Sequence, residues 1–324
     1  MATHATAGVA PASLLDRRLL FVTGKGGVGK STIASALATL AARQGKRTLL
    51  CEVDAKGDLA GFFGAPELTF TPVQVAPNLS VMAMDTEESL KEYLKLQLHL
   101  PLIARLGPLA RTFDFVATAA PGVKEILTVG KLAWEVKENH YDLVVVDAAA
   151  TGHVVGQLAS PVAMAELVRV GVVKAQTQWM IELLTDPAVT GVVVVATPEE
   201  MPVNETIELI GRLQGETTID VAAVIANRVF PELFGDSEEA TFDRLDSAEG
   251  RDALSQIFDV GVDVVLTAAR VTMALRRSRA RHLVRLRQEL PEGMPLLLVP
   301  YLFTRSHGAR TTRQVAELID QELS

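Results

Sequence analysis

The stretch LLFVTGKGGVGKST, residues 19–32, joins an apolar run to a glycine-rich turn and leads into an Ala- and Leu-rich segment at 33–43. The turn fits the pattern G-x-x-x-x-G-K-[ST] in the context that this motif requires, between a strand and a helix. Glycines let the backbone wrap closely around phosphate oxygens, and a helix N-terminus adds N–H donors and a favourable dipole. The stretch therefore predicts a phosphate-binding loop at the first crossover of an α/β fold.

Residues of this loop have distinct expected roles. Lys30 is expected to reach the β- and γ-phosphates of a nucleoside triphosphate, and the Ser31 hydroxyl to bind Mg²⁺. The other residues expected to line the phosphates are Gly24, Gly26, Gly27, Val28, Gly29 and Thr32.

Apolar, β-branched segments recur at residues 18–23, 47–53, 79–84, 143–146, 191–196, 221–226 and 296–299. Apolar runs without alternation are typical of strands that are covered on both faces. Helical segments between them supply the crossovers, so the sequence predicts a doubly wound, mostly parallel sheet of the P-loop NTPase type. Binding residues are expected where such strands end, and Asp54, Asp147 and Asn227 stand at those positions.

Composition excludes several classes of protein. The chain has 324 residues, 48% of them hydrophobic, and a formal net charge of −8, which excludes a disordered chain and argues against nucleic acid as a partner. Cys51 is the only cysteine, which excludes an intrachain disulfide and a zinc or iron–sulfur site built from several cysteines of one chain. No apolar run is long enough to span a membrane, so a cytoplasmic location is expected.

The domain organisation predicted from the sequence is simple. Residues 1–17 lack the features of a signal peptide and are interpreted as a mobile tail, and residues 18–324 as a single P-loop domain. Two helical insertions are expected, at about 87–139 and 161–185. They either pack on each other as a cap or present an apolar surface to a partner or client.

Acidic residues after the strands are candidates for metal binding and water activation. Asp54 and Asp147 can each act on Mg²⁺ through water, and Asp147 suits the Walker B role. Asp58 either orients the attacking water or caps the loop. The turn Thr151-Gly152 can follow the γ-phosphate as a switch.

Lys25 precedes the paired glycines and gives the form G-K-G-G-x-G-K-[ST]. This form resembles the deviant Walker A motif of ATPases whose signature lysine crosses a dimer interface to the partner's nucleotide. Such a lysine offsets charge that develops on the leaving group. The alternative is a solvated loop lysine.

D-A-A-A-T-G-H, residues 147–153, resembles the D-T-A-P-T-G-H segment of the arsenite-pump ATPases and of the ATPases of tail-anchored protein targeting. Pro121, Gly122 and Glu125 resemble the P-G-x-x-E pattern that precedes it in that family. The resemblance extends from residue 19 to about 318. It implies an ATPase that uses ATP and Mg²⁺ and forms a homodimer, or a heterodimer with a related ATPase. Within the motif, His153 is either a packed or capping residue of the next helix or a proton-transfer group.

Other parts of the nucleotide site rest on resemblance. Asn227-Arg228 resembles the family's asparagine that recognises adenine, and ATP is favoured because the guanine signature Asn-Lys-x-Asp is absent. Residues 299–308 resemble the loop that closes over the base, with Pro300, Tyr301 and Phe303 as candidates, although either aromatic residue could belong to the core. D-A-K-G-D, residues 54–58, resembles the D-P-K-A-D run of nitrogenase iron proteins and implies that Lys56 approaches the nucleotide.

Departures from the family limit what the resemblance implies. The zinc Cys-x-x-Cys and the metalloid-binding cysteines are absent, which argues against a zinc-pinned homodimer and against arsenite activation. Gly61 stands where the family has Asp or Gln in the first switch, so the water-activating residue stays open and hydrolysis could be slow.

Three functions remain in competition. The first is an ATP-driven dimeric switch that acts on a protein partner. The second is a nucleotide-sensing chaperone or targeting factor for hydrophobic or tail-anchored segments. The third is an anion-pump subunit or a membrane- or DNA-partitioning ATPase, for which the arginine-rich stretch 270–287 would be either a binding surface or a solvated face. A peripheral membrane partner stays open.

Overall fold

The fold is built on one eight-stranded sheet in the order β3-β4-β2-β5-β1-β6-β7-β8. The computed structural model describes residues 14–54, 58–98, 122–167, 172–231, 235–258, 261–304 and 308–324. All neighbouring strands are parallel except β3, which runs antiparallel to β4 at one edge. The strands are β1 Leu19–Gly24, β2 Thr48–Glu52, β3 Val73–Ala76, β4 Leu79–Ala83, β5 Leu143–Asp147, β6 Thr190–Ala196, β7 Val221–Val229 and β8 Leu296–Pro300.

Helices fill the crossovers and cover both faces of the sheet. In the described ranges they are α1 Lys30–Arg43, α2 Asp58–Phe63, α3 Thr86–Leu98, α4 Val123–Lys137, α5 Thr151–Leu167, α6 Val172–Thr185, α7 Glu200–Glu216, α8 Asp236–Leu245, α9 Ala248–Ile257, α10 Val262–Glu289 and α11 Ala309–Leu323. The predicted doubly wound, mostly parallel sheet is confirmed. Within the described ranges, no helix is both long and apolar enough to cross a bilayer.

Alternate residues of β1 point into two hydrophobic cores on opposite faces of the sheet. Leu20 and Val22 pack with α1 and α11, whereas Leu19 and Phe21 pack with the face that carries α4, α5 and α7. Every residue of β1 is buried, as expected for a central parallel strand. This burial fixes the end of β1, and with it the start of the phosphate-binding loop.

The N-terminal boundary differs from the expected one. Leu14 and Leu15 lie in a short 3-10 turn and are buried, and the buried Arg17 donates to the Thr190 carbonyl oxygen and pairs with Asp220 at 2.6 Å. The prediction of a mobile tail over residues 1–17 is therefore wrong for residues 14–17, because two leucines and an ion pair anchor them. Residues 1–13 lie outside the described part of the chain.

The helical insertions differ from their predicted bounds. α3 and α4 form the described part of the first, and residues 99–121 lie outside it. The second begins earlier than residue 161, because α5 starts at Thr151 and runs through Pro161 without a break. Helix α4 packs against α3, α5 and α6, and α5 packs against α6. These four helices are called the cap below.

Candidate functional site

The phosphate-binding loop follows β1 and ends where α1 begins. Gly24 has a φ of 149°, and Gly29, which precedes the first residue of α1, has a φ of 95°. Side chains are strained in this region of backbone space. A Cβ atom at Gly24 would also collide with the Val195 carbonyl oxygen, and one at Gly29 with the side-chain nitrogen of Asn227. These two positions therefore require glycine, and the loop is tightly packed where it meets β6 and β7.

Asp147 joins the loop to the end of β5. The Ser31 hydroxyl donates a hydrogen bond of 2.6 Å to its Oδ2 atom, and the Asp147 side chain is largely buried. A second hydrogen bond connects the same two parts of the chain: the Thr23 hydroxyl donates to the Ala149 carbonyl oxygen at 2.8 Å. Two of the three residues predicted from sequence to act on magnesium are thus in direct contact.

A cavity of about 450 Å³ opens above these residues. It is lined by loop glycines, Lys30, Ser31 and Thr32, and by the exposed carboxylate of Asp54. The Lys30 ammonium donates to the Lys25 carbonyl oxygen at 3.5 Å, inside the curve of the loop. Six of the eight residues predicted to line the phosphates therefore surround one space of suitable size for a ligand, and Gly24 and Val28 do not line it.

The donor atoms at this site fit a magnesium ion. Mg²⁺ prefers oxygen ligands and is usually bound by one or two side chains together with phosphate oxygens and water. The Ser31 hydroxyl and the Asp147 carboxylate supply such oxygens 2.6 Å apart, and the buried Glu52 carboxylate lines the same cavity.

Lys25 turns away from the cavity toward its own chain. Its ammonium forms an ion pair with Glu205 Oε1, and the side chains of both residues are about 30% exposed. The Thr151 hydroxyl donates to Glu205 Oε2 at 3.5 Å. Glu205 therefore connects the loop lysine with the first residue of α5, where the predicted switch begins.

Asn227 packs against the loop. It lies within β7 rather than after its end, and its amide nitrogen donates to the Val28 carbonyl oxygen at 2.8 Å. Its Oδ1 atom accepts from the backbone N–H of Arg228, a non-glycine residue with a φ of 57°. The amide group thus already holds the loop in place.

A second cavity, of about 260 Å³, adjoins Asn227. It is lined by Thr32, Asn227, Arg228, Pro300 and Tyr301. These are five of its ten lining residues, and four of the ten are positions that the resemblance assigns to the base. The cavity lies beside the phosphate-binding loop.

The aromatic side chains of this region form a cluster. Tyr301 stacks on Phe230, with ring centroids 5.1 Å apart, and the Arg279 guanidinium lies 4.5 Å from the Phe230 centroid. Phe303 contacts both rings edge-on but is 69% exposed and does not line the cavity. Of the two aromatic candidates, Tyr301 lines the second cavity and Phe303 does not.

The remaining switch residues are placed only in part. Lys56 lies outside the described residues. Asp58 is the first residue of α2. Thr151, Gly152 and His153 form the first turn of α5, where Gly152 and His153 are exposed, so the structure supplies no packing role for the histidine.

Three residues of the site escaped sequence reasoning. Glu52 lines the phosphate cavity, Glu205 holds Lys25, and Phe230 stacks on Tyr301. The order of strands in the sheet could have indicated that Glu205 lies near the loop. β6 pairs with β1, so the helix that follows β6 begins at the same edge as the loop.

Comparison with known proteins identifies the family of the chain. The family model of anion-transporting ATPases matches residues 17–180 and 169–259. ATPase BagA of Mycobacterium tuberculosis is 34% identical over 232 residues, 68% of each chain. A protein of Halobacterium salinarum described as an arsenical pump-driving ATPase is 30% identical over 267 residues, 76% of this chain and 40% of its own. ATPase ASNA1 homolog 1 of Paramecium tetraurelia is 33% identical over 152 residues, 44% of this chain and 43% of its own.

The family match covers most of the sheet and the whole phosphate-binding loop, and the relatives carry the name ATPase. The chain therefore belongs to the family of anion-transporting ATPases and is itself an ATPase.

Proposed function

We propose that the protein is a magnesium-dependent ATP switch in which two subunits associate around bound nucleotide. The observation that carries this proposal is the contact between Ser31 and Asp147 beside the 450 Å³ cavity. It joins the phosphate-binding loop to the strand that leads into the switch, so a change at the terminal phosphate would reach α5.

The residues of the loop would hold the phosphates in line for hydrolysis. Lys30 and the backbone N–H groups at the start of α1 neutralise the β- and γ-phosphates. Ser31, with Asp147 and Asp54 acting through water, would hold Mg²⁺, which supplies charge neutralisation when bound. Asp54 or Asp58 would position the attacking water, and the loop-capping alternative for Asp58 remains.

Lys25 would act in the partner's site. In the single subunit it pairs with Glu205, so it lies away from its own phosphate cavity. On association, the Lys25 ammonium would leave Glu205 and contact the partner's nucleotide. There it would offset the negative charge that develops on the leaving oxygen. Since Glu205 also accepts from Thr151, this exchange would release the first turn of α5 at the same time.

The base would occupy the second cavity, between Arg228 and Tyr301. Asn227 would present the rest of its amide to the adenine edge while it anchors the loop through Val28. The partner subunit is either a second copy or a related ATPase.

A second candidate is a nucleotide-sensing chaperone or targeting factor. It is favoured by the cap, whose helices enclose an apolar cavity between α3, α4, α5 and α6. The relatives include proteins named ASNA1 homologs and proteins named for arsenical pumps, but the metalloid-binding cysteines of such pumps are absent here.

The arginines of α10 give little support to a nucleic-acid or membrane surface. Most of them form ion pairs with carboxylates of the same chain, and these are Arg270, Arg276, Arg277, Arg279 and Arg285. Arg270, Arg277 and Arg285 are exposed and paired, as expected of a solvated face. Arg276 and Arg279 are less exposed, and Arg279 packs on Phe230.

Mass measurement in solution tests the proposal. The expected result is a monomer with ADP and a dimer with MgATP for the Asp147→Asn variant, in which hydrolysis is slowed. Lys25→Ala should bind MgATP in calorimetry but neither dimerise nor hydrolyse it. Retention of both properties in Lys25→Ala would refute the dimeric switch, and absence of MgATP binding to the unmodified protein would refute the whole proposal.

A further inference from the structure

The cap contains a cavity that the nucleotide site does not use. It has a volume of about 290 Å³ and lies between α3, α4, α5 and α6. Its walls include Tyr93, Ile126, Trp134, Met164 and Trp179. None of its lining residues lines the two nucleotide cavities, so it is a separate site.

Several polar groups in its walls have partners within the protein. The Ser89 hydroxyl donates to the Leu127 carbonyl oxygen at 3.1 Å, and the Thr177 hydroxyl to the Lys174 carbonyl oxygen at 3.0 Å. The ammonium of Lys131 pairs with Glu92 at 2.7 Å and with Glu135 at 2.6 Å. The space therefore offers apolar surface and selects an apolar group.

A cation lies beside the two tryptophans that line the cavity, and Lys137, which carries it, is not itself a lining residue. The part of the cavity formed by these tryptophans is called its tryptophan end. The Lys137 ammonium lies 4.3 Å from the ring centroid of Trp179 and 5.8 Å from that of Trp134. Lys137 is exposed, and no ion pair joins it to a carboxylate in the described part of the chain. An anionic head group at the tryptophan end would gain a charge partner at the edge of solvent.

The size of the cavity limits what can occupy it. A methylene group occupies about the same volume as a molecule of liquid water, about 30 Å³, so the cavity holds a chain of roughly ten carbons. A membrane-spanning helix of about 20 residues is far larger and could insert only single side chains. A slender aliphatic chain fits the space, and a helix does not.

We propose that the cap cavity binds the acyl chain of a small anionic amphiphile, whose carboxylate lies against Lys137. This site shares no lining residue with the nucleotide cavities, so failure of this proposal would leave the proposed ATP switch intact. It would also give the cap a small-molecule ligand, distinct from a protein client.

Intrinsic fluorescence offers a direct test, because the only two tryptophans of the chain line the cavity. Decanoate should change their emission in a saturable way and bind with a stoichiometry of one per chain in calorimetry. Decanol should bind more weakly, and decyltrimethylammonium more weakly still, because Lys137 repels its head group.

Variants separate the chain from the head group. Lys137→Gln should weaken decanoate about fivefold and leave decanol unchanged, as expected for an exposed charge pair. Lys124→Gln, at an exposed lysine of the same helix, is the matched control and should bind decanoate normally. Gly130 lines the cavity, so the larger side chain of Gly130→Leu should block both ligands. This variant should still fold, because a Cβ atom at this position meets only the flexible end of Met180. Met164→Trp fills the space from another helix, in case Gly130→Leu does not fold.

The outcomes decide between occupants. Equal binding of decanoate, decanol and the ammonium compound would overturn the proposal. The proposal would also be overturned if folded Gly130→Leu and Met164→Trp variants both still bind decanoate. An apolar helical peptide that changes the tryptophan emission when decanoate does not would overturn it as well, since the cap would then bind a protein segment.

Discussion

Gly29 and Asn227 meet at the narrowest point of the phosphate-binding loop. Gly29 has a left-handed backbone, and the space that a Cβ atom would fill is taken by the amide of Asn227. Gly29→Ala should therefore break the bond from Asn227 to Val28 and destabilise the protein by about 2–4 kcal/mol, from backbone strain and overpacking together. Chemical denaturation without nucleotide measures this effect.

Gly26→Ala is the matched control, in the same loop. Its φ lies outside the left-handed region, and a Cβ atom at this position would meet nothing within 4 Å. Its free energy of unfolding should stay within about 0.5 kcal/mol of the unmodified protein. Equal destabilisation by both changes would show that close packing at Gly29 is not the cause.

Asn227 has two proposed roles that substitution can separate. Asn227→Ala removes the hydrogen bond to Val28, and loss of such a buried bond weakens the loop by about 1–2 kcal/mol. If loop anchoring dominates, affinity for inorganic tripolyphosphate and for ATP should fall together, by about tenfold. Calorimetry with ATP, GTP and tripolyphosphate measures this. Loss of ATP preference over GTP with unchanged tripolyphosphate binding would show that base recognition dominates instead.

Cys51 is fully buried in β2, and burial raises the pKa of its thiol well above the ordinary value. Only the thiolate reacts readily, so at pH 8 the thiol stays protonated and shielded. Ellman's reagent should detect no thiol in the folded protein and one per chain in denaturant. Rapid reaction of the folded protein would mean that β2 opens on the timescale of the assay.

At the level of elements, the sequence patterns succeeded where a strand is covered on both faces. β1 and β6 are continuous apolar runs and are fully buried, as predicted. β3, V-Q-V-A, was missed because four residues are too few for a strand period to be recognised. It lies at the antiparallel edge, with Gln74 exposed and the other three residues half-buried. Glu205 was missed for another reason: its role depends on where α7 lies beside the loop, which is set by the pairing of β6 with β1.

The cap depends on a buried ion cluster that ties α3 to α4. Lys131 is 8% exposed, and its ammonium bridges Glu92 on α3 and Glu135 on α4. Burial lowers the pKa of Lys131, but the hydrogen bonds to Glu135 and Glu92 outweigh it and raise the pKa overall. Lys131→Ala should leave two carboxylates without their cation and destabilise the protein by about 3 kcal/mol. Denaturant titration followed by tryptophan emission reports on this region.

The control for this change lies on α3. Lys91 pairs with Glu87 and Glu88 in solvent, so Lys91→Ala should cost less than about 1 kcal/mol. Two equally small effects would contradict a structural role for the Lys131 cluster.

At the scale of the whole molecule, the free subunit and the proposed dimer compete for Lys25. Glu205 holds the lysine within its own chain, and the ion pair is about 30% exposed on both sides. An ion pair of this exposure stabilises the free subunit by at most about 1 kcal/mol. It therefore weakens association without preventing it. Glu205→Ala should therefore shift MgATP-dependent dimerisation to protein concentrations about tenfold lower, because two such pairs open for each dimer.

Sedimentation across a concentration series with MgATP and with ADP measures this shift. Glu208→Ala, at an exposed glutamate of the same helix, should behave as the unmodified protein. The double variant Lys25→Ala, Glu205→Ala should lose this increase in dimerisation, because the increase depends on the Lys25 ammonium that Glu205→Ala releases. If Glu205→Ala dimerises less readily than the unmodified protein, Glu205 contributes to the dimer interface. That result would contradict the idea that Glu205 and the partner's nucleotide compete for Lys25.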